Sequence, residues 1–298
     1  MKKAKSGFEK MKNPIKKQRV RLLFLSCFLL LILYTLFSFY QSNFRFTVTR
    51  YIVESPNLPN SFTGYRIAQI SDLHGKDFAD DLLEALDREQ PDIVVITGDL
   101  VSFEDEDFSD EVALIQAISN SYTSYYIMGN HEYWLEDHLR GELLDQLAGT
   151  GVTILDNRSI PIIRQEGKIV ISGLQEDEFY YSCKAEETPM PVEHFLGPKR
   201  NDFTVLLAHN PLYWKDYLSW GADLTLSGHL HGGGIRLPLV GGVFSPEMSF
   251  FPKYSRGLFR QGDKSMVVSA GLGNSGIPFR LFNRPELVII DLQSLSIY

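Results

Sequence analysis

Five short stretches of this chain lead into side chains that can hold metal ions. Asp72 and His74 follow the apolar run YRIAQI, Asp99 follows PDIVVI, and Asn130 and His131 follow TSYYIM. His209 comes after DFTVLLA, and His229 and His231 come after ADLTLS. Of the seven histidines, five occupy these positions; only His138 and His194 lie elsewhere. Imidazole and carboxylate suit borderline divalent ions such as Zn, Mn and Fe, whereas an all-oxygen set would suit Mg or Ca. So many ligands exceed the needs of one tetrahedral ion. They suit two ions about 3.5–4 Å apart that share a carboxylate and a hydroxide. Two histidines spaced i, i+2 past a strand end can aim at one point, so His229 and His231 are expected to serve neighbouring ions.

Such loops need a scaffold, and the apolar pattern supplies one. Strand-like runs at 65–70, 91–96, 123–128, 152–155, 160–163, 168–172, 265–272 and 286–292 join those leading into the loops after 202 and 222. Between them lie helical patterns; in residues 78–90, Phe78, Leu82, Leu83 and Leu86 share one face, and the pattern stops before Pro91. Further helices are expected over 110–119 and near 136–148. Apolar runs buried on both faces, alternating with helices, predict an α/β fold with largely parallel pairing. In such folds ligands bind where loops leave the C-terminal ends of strands. Residues 174–201 lack periodicity and are expected to make a loop excursion over one edge. The aromatic stretch 244–259 could form a rim or lid over the site, or pack on the sheet edge.

The N-terminus is a different material. Residues 1–21 carry nine Lys/Arg against Glu9, and with a net charge of −8 overall the remainder carries −16. So acidic a body disfavours nucleic acid as the partner. Residues 22–40, LLFLSCFLLLILYTLFSFY, are uncharged and as a helix would span about 30 Å, a bilayer's apolar thickness. The run is longer than a signal-peptide core and ends in bulky Phe37, Phe39 and Tyr40, which suit a membrane interface. The expected organisation is a basic cytoplasmic arm (1–21), an uncleaved single-pass anchor (22–40), a stalk and leading strand (41–64), and a catalytic domain (65–298). The positive-inside rule puts the catalytic domain on the extracytoplasmic side of the cell membrane. With Cys27 inside the anchor, Cys183 has no partner for a disulfide.

The motifs SDLH, TGDL, GNHE, AHNP and SGHLHGG, in this order across residues 71–233, resemble those of the calcineurin-like metallophosphoesterases. The tail GLGNSGIPFRLFNRPELVIIDL and the IRLP after the glycines are similar to the YaeI/YkuE-like, membrane-associated branch. This resemblance implies a four-layer α/β/β/α sandwich of two mixed sheets. It also implies that Asp72, His74 and His231 bind one ion, Asp99 bridges, and Asn130, His209 and His229 bind the second. His131 would sit at the leaving group as general acid or hydrogen-bond donor. Two cations would lower the pKa of a bridging water, and the resulting hydroxide would attack phosphorus in line with the leaving oxygen.

The activity implied is hydrolysis of phosphate esters, diesters first, on a small phosphorylated or lipid-linked substrate, with no protein partner inferred. Glu132 would orient His131 or a ligand, or be a plain surface acid; Asn210 would support a ligand or make an Asn-Pro turn. Arg236 and Arg280 are candidate phosphate-binding groups, since guanidinium matches phosphate geometry, though each could be a solvated arginine. Relatives often carry Gln where this chain has Gly234, so any contact from that side chain is lost. A non-catalytic scaffold of the same fold and a nuclease are the competing readings. The filled motif positions argue against the first and the acidic body against the second.

Overall fold

The computed structural model describes residues 14–176, 190–237, 239–245, 249–276 and 278–295. In chain order they form α1 (Pro14–Phe44), β1 (Thr47–Ser55), β2 (Arg66–Ile70), α2 (Ala79–Glu89), β3 (Ile93–Thr97), α3 (Ser109–Ser121) and β4 (Thr123–Ile127). Next come α4 (Asn130–Trp134), α5 (Asp137–Ala148), β5 (Thr153–Ile154), β6 (Arg158–Arg164), β7 (Gly167–Gly173), α6 (Val192–Leu196), β8 (Phe203–Leu207) and α7 (Trp214–Trp220). The chain closes with β9 (Leu224–Ser227), β10 (Ile235–Leu237), β11 (Gly241–Phe244), β12 (Gly257–Gln261), β13 (Lys264–Val268) and β14 (Glu286–Ser294).

Two six-stranded mixed sheets result, ordered β1-β14-β2-β3-β4-β5 and β12-β13-β9-β8-β7-β6. Side-chain alternation makes the layers. In β2 and β3, Ile67, Ile93 and Val95 point into the space between the sheets, while Ala68, Ile70, Val94 and Ile96 point outward. The outward set packs under Leu82 and Leu86 of α2, Ile115 and Ile118 of α3, and Leu143 and Leu147 of α5. In the second sheet Phe203, Val205, Leu207, Leu224 and Leu226 face inward, and Leu206, Met266 and Val268 pack outward against Trp214 and Tyr217 of α7. That is the α/β/β/α sandwich, in which the central strands β2, β3, β8 and β9 are buried because both faces are covered, while the edge strand β6 leaves Ile163 exposed.

One buried polar contact ties the sheets together where the loops emerge. Gln69 Nε2 donates to Thr97 Oγ1 at 3.0 Å in its own sheet and to the Ser227 carbonyl at 2.9 Å in the other. It thereby links the strand ends that precede Asp72, Asp99 and His229.

The N-terminal segment departs from expectation where its helix ends. The helix runs to Phe44, four residues beyond Tyr40, and Gln18–Phe44 is long and apolar enough to cross a membrane. The stretch expected as a stalk and leading strand contains β1, which pairs in parallel with β14 over nine residues. Only Arg45 and Phe46 separate the helix from that strand. A strand partner more than two hundred residues away leaves no local signal, so periodicity alone could not join β1 to the sheet. Of the aromatic stretch 244–259, Tyr254 stacks edge-on with Trp214 and Phe259, at 5.4 and 5.1 Å between ring centres. These two side chains pack on the outer face of the second sheet. The expected excursion over 174–201 includes α6, while its part from 177 to 189, with Cys183, lies outside the described residues.

Candidate metal centre

The loops after β2, β3, β4, β8 and β9 leave the two sheets at the same end and converge. Asp72, His74, Asp99 and His231 each place a ligand atom within 4.8 Å of the others, and so do Asp99, His209 and His229. Asp99 is common to both groups. Its Oδ2 lies 3.1 Å from His209 Nε2 and 3.6 Å from His74 Nε2. Asp72 Oδ1 lies 3.5 Å from His231 Nε2 and 4.0 Å from His209 Nε2. Asn130, the first residue of α4, is buried, and the next residue, His131, touches His74 edge-on at 4.4 Å. His138 is instead on the surface, paired with Glu136, and His194 lies on α6.

Backbone groups aim the carboxylates. The His131 N–H donates to Asp99 Oδ1 at 2.9 Å, and the His229 N–H donates to Asp72 Oδ1 at 2.8 Å. Oδ2 of Asp99 is thus left for the cluster. The loops reach these positions through left-handed backbone at Asp72 (φ 50°), His74 (48°), Asp99 (53°), His229 (70°) and His231 (49°). Such conformations cost non-glycine residues about 1–3 kcal/mol each and persist where the surroundings impose them, commonly at functional sites. Gly98 is required for the same reason: at φ +89° a Cβ would stand 2.7 Å from the Gly129 Cα and His209 Nδ1.

The electrostatics favour a bound cation. Burial lowers His74 to about 3 and holds His231 well below the usual imidazole value, so both are neutral and offer lone pairs. Burial pushes Asp72 up. Burial acts the same way on Asp99, but His209, His74 and His131 together outweigh it and hold the carboxyl well below its ordinary range. His209 answers: burial would lower it, yet Asp99 and Asp72 carry it up to about 10. A positive charge therefore belongs between these groups. His209 Nδ1 is 2.6 Å from the Thr97 carbonyl, which must accept from it, so Nε2 is the atom directed into the cluster. Asp72 Oδ2 and Asn130 Oδ1 are buried without a hydrogen-bond partner among the described residues. Unsatisfied oxygens of this kind, with this set of imidazoles, fit divalent ions.

Among the supporting residues, Glu176 and Ser275 were not legible in the sequence, and Glu132 and Asn210 were legible only as alternatives. Glu132 is fully buried, and its carboxylate accepts four backbone N–H groups: Asp99 at 2.9 Å, Leu100 at 2.6 Å, Val101 at 3.3 Å and Gly129 at 2.7 Å. It is not a surface acid and does not bond the His131 ring; by accepting from the Asp99 N–H it orients a ligand residue, and it pins the loop after β3 to the start of α4. Burial raises it to about 7. Glu132→Gln would turn one oxygen into a donor facing two N–H groups. At about 1–3 kcal/mol per unsatisfied buried group, the expected loss is about 2–5 kcal/mol. A thermal melt of the variant in detergent should show the transition lowered by about 5–15 °C; an unchanged melt would mean the loops hold without it.

Asn210 makes the turn alternative, its Oδ1 accepting from Leu212 N at 3.0 Å. Its own N–H donates to Glu176, a buried acid that also accepts from the Tyr217 hydroxyl at 2.6 Å. Ser275 Oγ lies 2.9 Å from His131 Nε2, and the Phe103 N–H donates to His131 Nδ1 at 3.2 Å. Because Nδ1 accepts, the neutral ring carries its proton on Nε2.

Arg280 is placed differently from the phosphate-facing role considered for it. It is 1 % exposed and sits behind His231, with Nη2 3.2 Å from His231 Nδ1 and Nε donating to the Gly273 carbonyl and Asn274 Oδ1 at 3.1 and 3.0 Å. Its backbone is gripped by α1: Arg280 N donates to Asn43 Oδ1 at 2.9 Å, and Asn43 Nδ2 donates to the Arg280 carbonyl at 2.8 Å. The Asn283 side chain donates to the His231 carbonyl at 2.6 Å, and its N–H reaches Ser42 Oγ at 3.3 Å. The last turns of the apolar helix thus support the loop that supports a cluster histidine. Arg236 is half-buried and donates to the Gly232 carbonyl at 2.6 Å.

The family model of the calcineurin-like phosphoesterases matches residues 65–233, which include every strand-end loop described above. The chain belongs to this family. It is 27 % identical to the uncharacterized metallophosphoesterase YkuE of Bacillus subtilis (strain 168), over 83 % of this chain and 86 % of that one. It is 28 % identical to an uncharacterized metallophosphoesterase of Aquifex aeolicus, over 83 % of this chain and 91 % of the other. It is 31 % identical to the transmembrane protein with metallophosphoesterase domain of Danio rerio, over 81 % of this chain but only 56 % of that protein. Its Asp/His cluster at the strand ends fits a binuclear divalent metal site.

Proposed function

We propose that this chain is a membrane-anchored phosphodiesterase that hydrolyses phosphate esters at a two-metal centre. The observation that carries the reading is one carboxylate, Asp99, shared by two ligand groups drawn from four strand-end loops. In the assignment that follows, Asp72, His74 and His231 hold one ion, Asn130, His209 and His229 hold the other, and Asp99 belongs to both. When bound, two divalent ions supply Lewis acidity and make a water nucleophilic near neutral pH.

The residues around the ions have their own tasks. His131 presents Nε2–H to the leaving oxygen, its tautomer fixed by the Phe103 N–H at 3.2 Å. Ser275 keeps the ring directed until substrate takes that hydrogen bond. Glu132 keeps Asp99 and His131 in register through the loop backbone. Lipid head groups or envelope phosphodiesters are the favoured substrates. The two-residue link between α1 and β1 can span only about 7–10 Å, which keeps the domain at the membrane. The basic arm supports a cytoplasmic N-terminus and an extracytoplasmic catalytic domain.

The test uses the full chain in detergent, stripped of metal, with a chromogenic phosphodiester and the corresponding monoester. Turnover restored by Mn²⁺, Zn²⁺ or Fe²⁺, with the diester preferred, is the expected result. A folded chain that binds two ions and turns over neither ester would overturn it.

Metal binding should also depend on the anchor helix. Asn43→Ala removes the two bonds that fix the Arg280 backbone behind His231. Loss of a group that orients a metal ligand typically weakens affinity by about 10–100-fold, and here one of the two ions should be bound about tenfold more weakly. Titration of Mn²⁺ into the stripped variant checks this. Equal affinities in variant and parent would show that Arg280 keeps its place unaided.

A further inference from the structure

Between the end of α1 and the β10–β11 hairpin lies a cavity of about 580 Å³ that none of the cluster residues lines. Its walls have two characters. Tyr34 and Phe37 of α1, with Leu239 of the hairpin, are apolar, and Leu239 is fully exposed beside half-exposed Val240. Arg236 and Arg284 supply positive charge at the other side. Neither arginine has a carboxylate within 4.0 Å among the described residues; Glu286, whose charge reaches Arg236, is paired with Arg256. A half-buried guanidinium without a counter-ion is unusual, because burying charge is costly unless it is paired. Arg236 is nonetheless locked in place, with Nη1 on the Gly232 carbonyl at 2.6 Å and 3.3 Å from Ser255 Oγ. A third polar group faces the same space: Gln41 Oε1 is buried with no hydrogen-bond partner among the described residues.

We propose that this cavity binds one phospholipid of the surrounding bilayer, its phosphate held between Arg236 and Arg284 and its acyl chains lying along Tyr34, Phe37 and Leu239. Guanidinium pairs match phosphate oxygens in geometry and charge. Gln41 Oε1 accepts from a headgroup hydroxyl or amine. The occupant is a lipid and not a free anion because the apolar wall is continuous with the exposed face of α1, the helix long enough to cross a membrane. Exposed Leu239 and Val240 enter the same interface, where apolar side chains are stable. The site is separate from the metal cluster and stands whether or not the chain hydrolyses esters. It rests on α1 lying in the bilayer.

The experiment is native mass spectrometry of the full chain, extracted in mild detergent, delipidated and titrated with dioleoylphosphatidylglycerol. The parent should retain one lipid per chain. Arg284→Ala, which changes an exposed side chain, and the double Arg236→Ala/Arg284→Ala variant should each weaken retention, the double by at least tenfold. The double Lys variant should keep most of it. Equal retention by the double Ala variant would overturn the proposal, as would dioleoylglycerol bound as tightly as the phospholipid. Displacement of the lipid by millimolar inorganic phosphate would overturn it by showing a site for free anions. Release of the chain from membranes by alkaline carbonate without detergent would remove the bilayer premise itself, leaving the ester-hydrolysis reading untouched.

Discussion

Asp99→Asn should lower phosphodiester turnover by about a thousandfold or more and reduce bound metal from two ions per chain to one or none. The substitution is nearly isosteric, and the remaining amide oxygen can still accept the His131 N–H that now meets Oδ1 at 2.9 Å. What disappears is the negative charge beside His209 and His74. That charge is the only one common to both ligand groups, so both ions lose their shared partner. Metal-ion stabilisation of a phosphoryl transition state is worth several kcal/mol, and each 1.36 kcal/mol is tenfold in rate. Metal content by inductively coupled plasma mass spectrometry, beside kcat/KM, checks both parts. A variant that keeps two ions and loses less than tenfold in turnover would show that Asp99 is dispensable to the centre.

His131→Ala should behave differently, with turnover down by about 10²–10⁴ and both ions retained. The imidazole contributes no atom to either ligand group, yet touches His74 at 4.4 Å between ring centres. Its Nε2–H is aimed by the Phe103 N–H behind it and by Ser275 at 2.9 Å in front. A donor to the leaving oxygen matters most when that oxygen is a poor leaving group. The loss should therefore be larger for an alkyl diester than for a nitrophenyl diester. Equal losses on both esters would assign His131 to holding the phosphoryl oxygens, and loss of metal would assign it to the ion shell.

The parts of this protein that were legible in its sequence are those written locally. Apolar runs of strand length, each followed by a loop with Asp or His, exposed the layered α/β architecture and the places where side chains would gather. Every strand-end Asp and His singled out lies in the cluster or against it. What was illegible depends on contacts remote in sequence. Where Thr47–Ser55 joins the sheet is not written in its own residues, because its partner is the distant β14. Glu132 reads as either a ligand-orienting group or a plain surface acid, and the choice is not written locally, since only the fold brings four loop N–H groups to it. Arg280 reads as a phosphate-binding group because guanidinium suits phosphate; its burial behind His231 follows from Asn43, 237 residues away, holding its backbone. The polar Ser38, Ser42 and Asn43 near the end of an apolar helix were the available hint. Each is buried against loop 279–284 or its neighbours.

The central claim is a pair of ions sharing Asp99, and electron paramagnetic resonance of the Mn²⁺-loaded full chain tests it most directly. Two manganese ions bridged by one carboxylate are magnetically coupled. The account predicts two Mn²⁺ per chain and a multiline spectrum of a coupled pair, which collapses to the signal of isolated ions in Asp99→Asn. Isolated six-line Mn²⁺ in the parent at full loading, or one ion per chain at saturation, would contradict it.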